Sequence, residues 1–173
     1  AAFYVHMGLL GALTTFNGSV VVTAKRADNS AGKVVASSME LFLSGTGVFA
    51  FEGVESGATE VFMTSYLCGR WSQNSSYAVQ NTSLTTATSV TVTYTATADS
   101  GGGTYSQTLP IGPGAKASFL ACNAAPLNTY GAAVVTSTTT PVVAIGKVYG
   151  GGLSTAFLGV AMVTFSTTQH QSA

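Results

Sequence analysis

Between Val90 and Ala98 every second residue changes character. Val90, Val92, Tyr94 and Ala96 fall on one side, and Thr91, Thr93, Thr95 and Thr97 on the other. Successive side chains of an extended chain point to opposite faces, so this stretch reads as a strand with one buried face and one threonine-covered face. The same period, rich in Val, Thr, Tyr and Phe, predicts strands over 19–24, 33–37, 40–43, 48–51, 60–65, 76–81, 105–109, 117–121, 132–136, 142–148, 156–159 and 162–165. Turn residues separate them, among them Asp28-Asn29-Ser30, Asp99-Ser100-Gly101-Gly102-Gly103, Gly112-Pro113-Gly114 and Gly150-Gly151-Gly152. No segment carries a sustained apolar stripe at helical spacing. Many short strands at regular spacing predict an all-β fold, an antiparallel β-sandwich of immunoglobulin-like or jelly-roll-like type.

Charge narrows the function classes. Six basic and six acidic residues among 173 leave no net charge, and 7% charged residues is far below the roughly 25% of an average soluble domain. No basic excess is present to neutralise phosphates, so nucleic acid is not an expected partner. A neutral surface also does little to repel a second copy. Cys68 and Cys122 lack the spacing of a redox or zinc motif and read as one disulfide or as two buried thiols. Three N-x-S/T sequons, at Asn17, Asn74 and Asn81, mark where an N-glycan would be carried, although a chain with 44 Ser and Thr produces sequons by chance. Low charge, abundant threonine and a plausible disulfide together favour an extracellular, cell-surface or secreted location.

The chain also compares with itself. Gly18–Thr23 is similar to Gly131–Thr136, Val34–Ala36 to Val142–Ala144, and Ala50–Val54 to Ala156–Val160, in the same order. Residues 1–17 then form an apolar extension ahead of a sandwich region spanning 18–173. Within that region, 18–64 read as a half-module, 65–165 as a complete module and 166–173 as a tail. A half-module either packs on the complete one as an enlarged sandwich or is completed by a neighbouring chain.

Four stretches carry a resemblance to a known module: Trp71–Asn81, Val90–Tyr94, Leu109–Phe119, and Gly131–Ser137 with Pro141–Ala144. Together they resemble a repeated β-sandwich module of secreted and cell-surface proteins of some filamentous bacteria. In that module a tryptophan opens an x-x-x-V-Q-N strand. A V-T-V-x-Y strand, an I-x-P-G corner and a G-x-A-V-V-T-S strand pair follow. The resemblance implies a surface or structural role and no shared catalytic residues. This chain departs from the module by beginning part-way through it and by adding the apolar N-terminal segment.

That segment, Ala1–Leu13, has no charge and is too short for a membrane span, which needs about 20 apolar residues. In an extended chain Phe3, Val5, Met7 and Leu9 point one way, while Tyr4, His6 and Gly8 point the other. As a helix, Phe3, Met7 and Leu10 would align instead. Read as a strand, it is either the first strand of its own sandwich or a donated one. In the second case Phe3, Tyr4, Val5, Met7, Leu9 and Leu10 form the subunit interface by strand addition to a neighbouring copy. Head-to-tail exchange of this kind does not close on itself and generates a filament.

Candidates for chemistry are scarce. His6 and His170 lie at opposite extremes, and Asp28 and Asp99 sit in turn-like contexts. Glu52, Glu55 and Glu60 lack an accompanying ligand set for calcium. Gly101–Gly103 lacks the lysine of a phosphate loop. Trp71, beside a cysteine in a sandwich, reads as core rather than as a sugar platform. The expectation is therefore a non-enzymatic chain without catalytic residues, cofactor or metal. It is a structural subunit of an extracellular, pilus-like homopolymer, made by donor-strand complementation. The alternative is a monomeric adhesion or glycan-binding module, with surface glycans as partners and an exposed aromatic platform around Trp71 or Tyr77.

Overall fold

The computed structural model describes residues 18–41 and 48–161. Eleven antiparallel strands are present among them: β1 (Ser37–Leu41), β2 (Val48–Glu52), β3 (Glu60–Cys68), β4 (Gln73–Asn81), β5 (Thr88–Ala96), β6 (Thr104–Ile111), β7 (Lys116–Leu120), β8 (Thr129–Ser137), β9 (Val142–Gly150), β10 (Leu153–Leu158) and β11 (Val160–Ala161). β1 and β2 form a separate hairpin, and the other nine share one sheet. That sheet folds over on itself at β3 and β4, which pair with each other only at Cys68 and Asn74. One layer then runs β10-β9-β4-β7, and the facing layer runs β6-β5-β8-β3 with β11 on the far edge of β3. The result is the all-β sandwich that the alternation predicts.

The alternation determines which side chains meet between the layers. Val90, Val92, Tyr94 and Ala96 of β5 are buried, as are Tyr77 and Val79 of β4 and Ala133 and Val135 of β8. Three tyrosines join the layers at the centre. Tyr77 stacks on Tyr94 at 5.8 Å between centroids, and Tyr66 meets Tyr94 edge-on at 5.1 Å. The Tyr77 hydroxyl donates to the Ser65 carbonyl (2.8 Å), and the Leu67 amide donates to Ser75 Oγ (2.9 Å). These two side chains of β4 thereby bond backbone groups of β3, although the two strands share only the Cys68–Asn74 pair. Burial holds the Tyr77 and Tyr94 hydroxyls far above the ordinary phenol range.

The corner is tied covalently. Cys68 and Cys122 form a disulfide with Cα atoms 5.0 Å apart, which joins the end of β3 to the short 3-10 turn after β7. At the opposite end Asn81 is wholly buried. Its Nδ2 donates to the carbonyls of Thr86 (2.7 Å), Gly112 (3.1 Å) and, more weakly, Ile111 (3.4 Å). Its Oδ1 accepts from the Ser83 amide (3.0 Å) and Thr140 Oγ1 (2.8 Å). One amide thus pins three loops.

Two expected strands do not form among the described residues, and the one expected over 162–165 lies outside them. Residues 19–24 and 33–36 carry no strand; their backbone contacts include bonds from Gly32 N to Ala24 O (2.9 Å) and from Gly53 N to Ala36 O (2.7 Å), with a bridge between Lys25 and Ala31 beside the first stretch. A strand needs a neighbour along its whole length, and no described strand runs beside these stretches. Asp28 acts as its turn context suggests: its Oδ1 accepts from the amide and hydroxyl of Ser30, and these bonds hold its pKa down.

Candidate functional site

Two surface features stand apart from the sandwich core. The first is the β3–β4 corner. Gly69 turns the chain in the left-handed region, and Trp71 and Ser72 follow with φ of 53° and 59°. Non-glycine residues held there cost on the order of 1 kcal/mol or more each. The consequence is that Trp71 points away from the core and is 63% exposed, not buried as its position beside Cys68 suggests. Its ring lies 5.1 Å from that of Tyr130 on β8, and the Arg70 guanidinium sits 5.0 Å from the Trp71 centroid and 5.5 Å from the Tyr130 centroid. The Tyr130 hydroxyl donates to Asp99, and this bond, then one from Thr97 and the charge of Arg70, lower the Asp99 pKa. Arg70 Nε is buried with no hydrogen-bond partner. The cluster is a pair of aromatic rings inclined at 44° to each other and edged by one cation and one anion.

The second feature is the β1–β2 hairpin, which lies on the outer side of the β10-β9-β4-β7 layer. Phe49 is buried there, with Lys147 of β9 4.9 Å from its ring centroid. Lys147 also pairs with Glu40 of β1, and Ser154 Oγ of β10 reaches the Val48 carbonyl at 3.5 Å. Beside Phe49 lies a cleft of about 290 Å³, floored by Ser76 of β4, Ser118 and Leu120 of β7, and Lys147 and Tyr149 of β9. Ahead of the hairpin the chain exposes Val20, Val21, Val22, Val34 and Val35.

The sites expected from the sequence distribute unevenly. Phe3, Tyr4, Val5, Met7, Leu9, Leu10 and Asn17 lie outside the described residues, as do His6 and His170. Cys68 and Cys122 are brought together. Asn74 is half-buried, and its Oδ1 accepts from the Gly69 amide at 3.0 Å. Asn81 carries a sequon, yet its Nδ2 is enclosed and bonded to backbone, which leaves no room for a glycan on that nitrogen in the folded chain. Tyr77, offered with Trp71 as an aromatic platform, is a core residue. Sequence reasoning missed the pairing of Trp71 with Tyr130 and Asp99, because these residues meet only when β8 and the turn after β5 reach the corner. The one local signal was Gly69, which permits the reversal that turns Trp71 outward.

Among the described residues no three His, Cys, Asp or Glu side chains gather as a metal site would require, and no helix is long and apolar enough to cross a membrane. Comparison with protein families, curated proteins and solved structures returned no match.

Proposed function

We propose that this chain is a non-enzymatic structural subunit of an extracellular filament at the cell surface, whose copies join by β-strand addition. The observation that carries this reading is the apolar stretch ahead of β1. Its valines have strand-forming character, lie exposed, and find no strand partner among the described residues. Unpaired strand backbone flanked by apolar side chains is a template for another chain. The near-absence of charge removes the repulsion that would oppose association, and the resemblance to a surface module agrees with it. The subunit needs no cofactor; its partner is a copy of itself, and the donated strand is Phe3–Leu10. Negative-stain microscopy and sedimentation of the full chain test this. Fibres are expected, and deletion of residues 1–13 leaves single subunits. The same fibres from the truncated chain would refute strand donation.

A second reading is favoured by one specific observation, the outward Trp71. An indole that is 63% exposed, beside Tyr130, Arg70 and Asp99, suits the apolar face of a neutral pyranose ring, whose hydroxyls the charged edge can bond. This is the adhesion or glycan-binding role. A screen against neutral and acidic glycans, with Trp71→Ala as control, tests it. Binding that survives Trp71→Ala does not use this surface.

A further inference from the structure

The β1–β2 hairpin repeats the β9–β10 hairpin in register. Ser37 opposes Glu52, Ser38 opposes Phe51 and Met39 opposes Ala50, as Ile145 opposes Leu158, Gly146 opposes Phe157 and Lys147 opposes Ala156. The flanking hydrogen bond is repeated too: Gly53 N to Ala36 O at 2.7 Å, and Gly159 N to Ala144 O at 2.9 Å. β1 therefore corresponds to Ile145–Tyr149 of β9, and Val34 corresponds to Val142.

The two copies differ in what covers them. β9 lies between β10 and β4, pairing with β4 along all nine residues of that strand. β1 has β2 on one edge, and its other edge, where β4 would lie, is unpaired among the described residues. Exposure follows. Val34 is 50% exposed while Val142 is 0%, and Val20 and Val22 are 61% and 45% exposed while their equivalents Ala133 and Val135 are 1% and 0%. Ser37, Ser38, Met39 and Glu40 are all exposed.

We infer that the acceptor for the donated strand is this free edge of β1, and that residues Phe3–Leu10 of a second copy occupy it as β4 occupies the edge of β9. The inference rests on the filament reading and locates its joint. Three observations select this occupant. The donor alternates with Phe3, Val5, Met7 and Leu9 on one face, as β4 alternates with buried Tyr77 and Val79. Its length matches the stretch from Val34 to Leu41. The cleft beside Phe49, floored by Ser76, Ser118 and Leu120, gives its apolar side chains a place to bury. Each copy then offers one donor and one acceptor, and the chain of contacts stays open-ended. The strand runs antiparallel to β1, as β4 does to β9.

Cysteine cross-linking tests this on the full chain, whose only two cysteines are already bonded to each other. Chains with Met39→Cys are mixed with chains carrying Tyr4→Cys, His6→Cys or Gly8→Cys, and oxidised. Met39 corresponds to Lys147, which opposes Ser76 of β4, so one of the three outward donor positions should give a cross-linked dimer well above the others. A chain carrying both substitutions should give a ladder of covalent oligomers. Leu120→Glu, which replaces apolar surface on the cleft floor by a carboxylate where the donor's apolar side chains would bury, should weaken assembly about tenfold or more without unfolding the sandwich. Cross-linking confined to single double-substituted chains makes the segment the first strand of its own fold and overturns the inference. No cross-link while fibres still form also overturns it but leaves the filament reading standing. Loss of fibres from the unsubstituted chain fails both.

Discussion

Replacing Asn81 measures how much of the sandwich hangs on one buried amide. In Asn81→Ala the carbonyls of Thr86 and Gly112 lose their donor, and the Ser83 amide and Thr140 hydroxyl lose their acceptor. The contact to Ile111 O at 3.4 Å is too long to add much. Four net hydrogen bonds at about 1 kcal/mol each give about 4 kcal/mol. Water reaching the loop carbonyls lowers that figure, and the Thr140 hydroxyl, only 5% exposed, raises it. The expected loss is about 3–5 kcal/mol, a large fraction of the roughly 5–15 kcal/mol typical of a domain. In urea, with a slope of about 2 kcal/mol per molar, the midpoint falls by about 2 M. Far-ultraviolet circular dichroism follows it. Asn81→Asp separates the two halves of the amide. It keeps an acceptor for Ser83 and Thr140 but turns an oxygen toward two carbonyls, so the carboxylate is disfavoured and its pKa in the fold rises. A raised folded pKa adds stability at low pH that disappears as pH rises, so this variant should recover toward acid while Asn81→Ala does not. A loss below about 1 kcal/mol for Asn81→Ala, or an Asn81→Asp protein as stable as the original at neutral pH, would refute the pinning role.

Further predictions follow from other parts of the fold. Replacing Cys68 and Cys122 together by serine opens a loop with a sequence separation of 54 and should cost about 4 kcal/mol in the chain-entropy picture, read from the same unfolding curves. Gly131→Ala would place its Cβ 2.0 Å from the Thr95 carbonyl oxygen, forcing β5 and β8 apart. A loss of about 1–3 kcal/mol or more is expected in thermal or urea unfolding, and an unchanged midpoint would contradict the close approach. Tyr77 and Tyr94 have folded pKa values above their unfolded value of about 10, so their stabilisation is complete below that pH and lost above it, up to about 1.4 kcal/mol per pH unit for each. In an alkaline absorbance titration they should ionise only together with unfolding.

The candidate site shows where sequence reasoning held and where it stopped. Cys68 and Cys122 were readable as a pair because few alternatives exist for two cysteines. Trp71 was misread as core because a tryptophan next to a cysteine carries no record of its own φ. Asn81 looked like a glycan acceptor because a sequon describes three neighbouring residues, while the burial of the amide depends on Thr86, Gly112 and Thr140. The stretches 19–24 and 33–36 have strand composition and no paired strand among the described residues, because hydrogen-bond partners are a property of neighbours.

The strand period is legible in the residue order alone, and through it the all-β class and the faces of β5 and β4. That period is a local property: alternate side chains of an extended backbone diverge whatever lies beside them. It took the fold to show that β3 and β4 part after one shared pair to enter opposite layers, that Trp71 faces solvent, and that one edge of β1 has no partner among the described residues. Each of these depends on contacts between residues far apart in the chain, where burial and backbone pairing are allotted by competition between segments rather than by the composition of any one of them.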